Sequence, residues 1–258
     1  MITKDEAPSR SKISLLTVCI FLLWVSLCLL AQGQEQILQR SIPSFAADNV
    51  SRLDAVLMLA KQQHVPLGIE YAGPKLFDLI TLRLGPTDLG TIMESLFPSN
   101  TGFEVRTQNG VLVITDRAVS KNKTNILDTK LSNFSIPRCS IQRAYVLLST
   151  QLRRQLSPSG YDRGVAGSIS GEGSTEIEAF VLTDATVREA LNRIVTERKD
   201  AAWIVQVRPE LLVQTNDGDV EKRFANGNLA LWTIVEYDSS LMNNVGKVIK
   251  AHALATLQ

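Results

Sequence analysis

Two histidines, three cysteines and scattered carboxylates are what this 258-residue chain offers for chemistry. His64 follows an amphipathic stretch and His252 lies near the C-terminus, and neither has a nucleophile motif beside it. No G-x-S-x-G, H-E-x-x-H or Walker loop occurs, so the motifs that place a serine, a zinc or a phosphate are missing. Glu70, Glu176 and Glu178 fall in alternating stretches. Carboxylates there belong to a solvated face rather than to an acid/base pair. The run Gly167-Ser168-Ile169-Ser170-Gly171-Glu172-Gly173 has the glycines of a phosphate loop but lacks the lysine and the strand–loop–helix context, and it reads as a flexible loop. Asn216-Asp217-Gly218-Asp219 lacks calcium-loop spacing and a terminal glutamate, and it reads as a turn. Cys139 sits just before a helix start, where the expectation is a small, partly buried residue. A reactive thiol would need a local cationic or metal setting that the sequence does not show. Arg153-Arg154 and Lys121-Asn122-Lys123 are short basic patches of the kind that serve solubility. The expectation is no catalytic, no cofactor-binding and no metal-ligating residue, hence a protein that is not an enzyme.

Composition narrows the class. With 27 basic and 26 acidic residues the net charge is +1, which exerts no bulk pull on nucleic acid. At 45% hydrophobic and 21% charged residues the chain is richer in apolar residues than a disordered one. One long uncharged run exists, Ile13 to Ala31, preceded by Lys4, Arg10 and Lys12. That is the form of an export signal, and its length lies where cleaved signals and spans overlap. Leu29-Leu30-Ala31 is a poor cleavage site, and Val25-Ser26-Leu27 before Cys28 is a poor lipoprotein site. Residues 1–35 are therefore expected to be a signal peptide or a signal anchor, and the remainder is expected outside the cytoplasm, with the basic flank inside. Beyond that segment only Cys139 remains, which excludes an intrachain disulfide in the exported part.

The elements come in an order that occurs twice. A strand ends in Phe45, Asn49 is placed to cap a helix with Val50, Leu53, Leu57 and Ala60 on one face, and Pro66 ends it. Two strands follow, over Pro66–Gly73 and Asp78–Leu84. Asp88 caps a second helix whose apolar face is Leu89, Ile92, Met93 and Leu96. Phe103–Thr107 and Val111–Thr115 flank Asn109-Gly110, a tight hairpin signal. In the second half Leu131–Ile136 is strand-like, and Ser140 opens a helix with Ile141, Ala144, Tyr145 and Leu148 on one face. An irregular glycine-rich stretch, 157–175, stands where the next strand belongs. Glu176–Leu182 is a strand, Thr186-Val187-Arg188-Glu189 is a capping box, and Val187, Ala190, Leu191 and Ile194 repeat the apolar spacing of the first half. Ala202–Val207 and Leu229–Val235 close the unit, carrying Trp203 and Trp232 with Tyr237 just after. These aromatics are read as core, with an aromatic ligand shelf as the alternative. Of the sequons at Asn49, Asn122 and Asn133, the first is expected to be used as a helix cap.

On these residues the chain resembles the short N-terminal domain shared by secretins and TonB-dependent receptors. The succession from Phe45 through Gly68-Ile69-Glu70-Tyr71 to Val111-Leu112-Val113-Ile114 carries the first copy, and Phe134 with Thr186–Val195 carries a looser second one. The resemblance implies an α+β fold of two small mixed-sheet modules of βαββαββ type behind the N-terminal apolar helix. The expected layout is 36–118 for the first module, 119–127 for a linker, 128–238 for the second module and 239–258 for a tail. No succession of alternating strands follows to close a barrel, so secretion and uptake are not carried over. What the resemblance implies is a periplasmic or membrane-anchored interaction module of the bacterial envelope. Its expected partner is an envelope protein or a second copy, met at a sheet edge. No cofactor and no nucleic acid are expected, and membrane contact is through the N-terminal segment. The alternatives are an envelope enzyme acting on cell-wall or polysaccharide material and a small-ligand-binding module. Exposed edges are expected at the strands around Phe45 and Phe134.

Overall fold

A computed structural model of the chain describes residues 36–120, 125–156, 165–170, 176–198, 200–208, 212–214, 220–222 and 229–237. The expected signal or anchor, the apolar helix within it, His252 and the tail lie outside the described residues. Among the described residues no helix is long and apolar enough to cross a membrane.

The architecture is mixed α+β. The first half contains β1 (Ser41–Ile42), β2 (Phe45–Ser51), α1 (Arg52–Gln63), β3 (Leu67–Tyr71), β4 (Leu79–Leu84), β5 (Thr87–Asp88), α2 (Leu89–Leu96), β6 (Phe103–Gln108) and β7 (Val111–Asp116). After a short α3 (Arg117–Ser120) come β8 (Lys130–Ile136), β9 (Cys139–Ser140), α4 (Ile141–Leu156), β10 (Val165–Ser170), β11 (Glu176–Ile177), β12 (Phe180–Thr186) and α5 (Val187–Arg198). The chain then runs through β13 (Ala201–Arg208), β14 (Leu212–Gln214), β15 (Val220–Lys222) and β16 (Leu229–Glu236).

Local chemistry accounts for most element boundaries. Asp88 accepts a hydrogen bond from the Thr91 amide and starts α2. Thr186 and Glu189 close the capping box reciprocally, at 2.6 and 3.2 Å, which satisfies two orphan donors at the start of α5. Asn109 and Gly110 both take positive φ, at 52° and 78°, the pairing a two-residue hairpin between β6 and β7 requires. One cap differs from expectation. Ser51, not Asn49, caps α1 by accepting from the Asp54 amide. Asn49 instead sits at φ 51° in β2, where the register with β4 shifts between Ala47 and Val50. A short amide side chain tolerates the left-handed region, so Asn49 serves a bulge.

Strands from both halves meet in one six-stranded sheet of order β10-β16-β13-β3-β7-β6. The β13–β3, β3–β7 and β10–β16 pairs are parallel; β13–β16 and β6–β7 are antiparallel. Two small antiparallel sheets flank it, β2 with β4 and β8 with β12. The glycine-rich stretch departs from its reading as a flexible loop: residues 165–170 form β10, in parallel register with β16 from Val165↔Ala230 to Ser170↔Val235. Low strand propensity there yields to pairing with a long neighbour, because propensity is a weak term beside a ladder.

Alternation along the shared strands sorts side chains into two cores. Leu112 and Ile114 of β7, with Ala202 and Ile204 of β13, join Leu53, Leu57, Ile92 and Leu96 of α1 and α2. Val111 and Val113 of β7, with Trp203, Val205 and Val207 of β13, join Tyr145, Leu148, Leu191 and Ile194 of α4 and α5. The period of two sends successive residues to opposite faces. One sheet thus carries the helices of the first half on one face and those of the second half on the other. The segment after β7 takes part as well: Val119, Ile126 and Leu127 are buried in the second core.

Candidate interaction site

Strand β3 is where the halves meet. All five of its residues are buried. Leu67, Ile69 and Tyr71 belong to the first core, so Gly68 and Glu70 face the second half. In the parallel register Gly68 lies opposite Trp203. The Trp203 indole nitrogen donates to Asn192 Oδ1 at 2.9 Å, and both residues are fully buried.

Glu70 is the second contact. Expected on a solvated face, its side chain is 0% exposed. Its oxygens meet Arg188 in a fork, Nε to Oε1 at 2.5 Å and Nη2 to Oε2 at 3.0 Å. Asn125 Nδ2 donates to Oε2 at 3.3 Å, and Arg188 Nη1 also bonds Asp128. Arg188 opens α5, so its guanidinium reaches from one half to the central strand of the other. Burial pulls that guanidinium down, but hydrogen bonds and charge from Glu70 and Asp128 outweigh it, and the net shift is upward. The alternating pattern around Glu70 had pointed to solvent because the side chains that meet it come from far along the chain, Asn125 at 55 positions and Arg188 at 118. The only local signal was an acid inside an otherwise apolar five-residue strand, and nothing in it announced a partner.

The remaining candidates are spread over the surface and core. His64 takes a left-handed conformation at the end of α1, and its Nδ1 lies 2.7 Å from Asp200 Oδ1, with side chains 75% and 41% exposed. Such a pair contributes little, about 0–1 kcal/mol. Glu176 and Glu178 lie at the surface beside Arg138, at 2.8 and 3.9 Å. Cys139 is half-buried in β9, and burial is the main reason its thiol is pushed up from the ordinary range. Trp203 and Tyr237 are buried; the Tyr237 hydroxyl donates to the Val65 carbonyl at 2.7 Å. The side chain of Trp232 and the loop at Asn216-Asp217-Gly218 fall outside the described residues. Among the described residues no group of three or more His, Cys, Asp and Glu side chains could hold a metal ion.

What the surface does present is sheet edge. Among the described residues β2 pairs with β4 alone and β8 with β12 alone, so each has an edge without a neighbouring strand. Along β8 two carbonyls are taken by side chains of α4. Gln151 Nε2 donates to the Asn133 carbonyl at 2.8 Å, and Gln155 Nε2 to that of Lys130 at 2.6 Å. Between α4 and β8 runs a groove of ≈ 410 Å³, lined among others by Asn133, Ser135, Arg143, Val146, Thr150 and Arg154. Arg143 and Arg154 are exposed, and Val146 is 42% exposed. Comparison of the chain with family models, with curated proteins and with solved structures found no match in any of the three.

Proposed function

We propose that the chain is a non-enzymatic interaction protein of the bacterial envelope, built from two βαββαββ copies that resemble the secretin and TonB-receptor short domain. A partner is received at the open edge of a copy's first strand. The observation that carries this reading is the single-sided pairing of β2 and β8, because an unpaired edge is a hazard unless something covers it. Addition of a strand is the mode that uses it.

The duplication is supported by matching pairings. β2–β4 corresponds to β8–β12. The parallel β3–β7 pair, with β6 antiparallel beside it, corresponds to β10–β16 with β13. The Leu89 amide donates to the Arg40 carbonyl at 2.9 Å, and the Val187 amide donates to the Thr129 carbonyl at 3.0 Å, at the same point of each copy. Placement in the envelope rests on the apolar run Ile13–Ala31 and its basic flank.

Proline scanning of β2 tests the docking mode. Ala46 is exposed and Ala47 buried in adjacent positions of the strand, and consecutive amides point to opposite edges. Of Ala46→Pro and Ala47→Pro, the one whose amide faces β4 will unfold the sheet. The other will keep the fold and lose capture of the partner from envelope extract. Full capture by the folded variant, with no added hydrogen-exchange protection of β2 or β8 in the complex, would overturn strand addition. Turnover of cell-wall fragments by purified protein would overturn the non-enzymatic reading. A periplasm-only reporter fused after Tyr237 should be active, and an active cytoplasm-only reporter there would overturn the placement.

A further inference from the structure

We infer that the groove between α4 and the edge of β8 receives an extended acidic peptide, with two carboxylates on one side of its strand engaging Arg143 and Arg154. This deepens the proposed strand addition by naming the chemistry of its occupant.

Charge carries the inference. No described residue lining the groove is an acid, and no described residue forms an ion pair with either guanidinium. Arg143, Val146, Thr150 and Arg154 recur on one stripe of α4, as positions three and four apart must. The stripe faces away from Ala144, Tyr145, Leu148 and Leu152, which are buried in the second core. So α4 packs one face inward and turns a face with cationic ends and a partly exposed valine toward the β8 edge.

The Gln151 and Gln155 amides act as a second marker. They donate to Asn133 and Lys130 carbonyls of a strand that has a neighbour on one side only. Lys130 and Asn133 are three apart, so along a regular strand only one of the two carbonyls faces the edge away from β12. The side-chain amide there satisfies the acceptor that a third strand's backbone N–H would otherwise satisfy, and it exchanges with such a strand without leaving the carbonyl bare.

Geometry sets the peptide's pattern. Arg143 and Arg154 are eleven positions apart in α4, which is about 16 Å along a helix at 1.5 Å per residue. A strand advances about 3.4 Å per residue, so about five residues span that distance. Side chains alternate between faces, so both carboxylates point to α4 only at an even separation. Four or six positions satisfy this, with the arginine stems taking up the difference, and five does not. Between the acids a residue on the same face meets Val146, and an apolar one fits there.

The test uses the exported chain and ten-residue peptides of alternating threonine and valine that carry two glutamates. Fluorescence anisotropy should show the four-apart peptide binding at least tenfold more tightly than its glutamine counterpart or the five-apart peptide. Binding should weaken with salt. The double variant Arg143→Glu/Arg154→Glu, whose substitutions are exposed and should leave the melting temperature in place, should lose the glutamate peptide and gain a lysine peptide. Equal binding of glutamate and glutamine peptides with protection of residues 130–136 would leave strand addition standing and overturn the acidic occupant. No peptide binding, with capture still sensitive to proline in β2, would exclude the groove and leave the proposed function at the other edge. Binding of anionic vesicles or single-stranded DNA in place of the peptides would overturn the inference as well.

Discussion

The indole of Trp203 fills the space above Gly68. A Cβ built on Gly68 would lie 2.3 Å from Trp203 Cζ2 and 2.4 Å from Cε2. Those atoms belong to a ring fixed by its bond to Asn192 within a packed core. The absent side chain on one half and the largest side chain on the other are thus one fit, made between residues 135 positions apart and opposed in the β3–β13 register.

That fit predicts the cost of a single methyl. Gly68→Ala should destabilise the protein by about 1–3 kcal/mol through overpacking, although alanine is the better strand residue. Trp203→Ala should cost about 3–5 kcal/mol. Combining Gly68→Ala with Trp203→Leu should recover part of the alanine penalty. Denaturant melts of Gly68→Ala, Trp203→Leu and the double variant check this, and additive costs would mean that the ring can move aside.

The Glu70–Arg188 pair predicts strong coupling of β3 with α5. Removing one partner, as in Glu70→Leu or Arg188→Met, should cost about 3–5 kcal/mol because the other charge is left buried. The double variant should be much milder than the sum, since no charge is stranded. A double-mutant cycle measured by urea denaturation reads this directly. A coupling near zero would mean that water reaches the pair.

Sharing a sheet predicts how the molecule melts. Leu57 and Leu191 are buried on opposite faces, at 1% and 0% exposure, and either Leu→Ala should cost about 2–5 kcal/mol. Because β3 and β13 pair directly, both variants should lower the same unfolding transition. Calorimetry that shows two transitions, each moved by one variant, would mean that the joint opens before the cores do.

Tyr237 predicts an alkaline limb. Burial, reinforced by the Asp200 charge, holds its hydroxyl well above the ordinary tyrosine value. The folded state therefore keeps a proton that the unfolded chain releases above about pH 10. The associated stability is fully present below that pH and declines as pH rises further. Tyr237→Phe should flatten that decline. At neutral pH it should cost about 1–3 kcal/mol, because the Val65 carbonyl loses its donor. Urea midpoints followed from pH 8 to 11 test both parts.

Short-range chemistry was legible in the sequence. Asp88, Thr186 with Glu189, Ser140, and Asn109-Gly110 act within four residues of themselves, and the structure uses each where expected. The apolar faces Leu89, Ile92, Met93, Leu96 and Val187, Ala190, Leu191, Ile194 are buried, as helical periodicity requires. Asn49 was misassigned because Ser51 lies two positions on, and both side chains can cap; the bulge in β2 decided between them.

What the sequence by itself determined is therefore the mixed α+β class, the helices with their caps except that of α1, the hairpin, and the edges that short strands leave behind. What only the tertiary structure decided is which element lies beside which. Glycine at 68 and glutamate at 70 read alone as a weak strand and a solvated acid. Their meaning comes from Trp203 and Arg188, brought to them by the parallel pairing of β3 with β13. Periodicity reports that a face is apolar or polar but not what covers it. Parallel pairing joins strands far apart in the chain, so neither neighbour leaves a mark beside the other. The groove at Arg143 and Arg154 follows the same rule in part: helical spacing alone sets both on one stripe, and only the placement of α4 along β8 makes a groove of it.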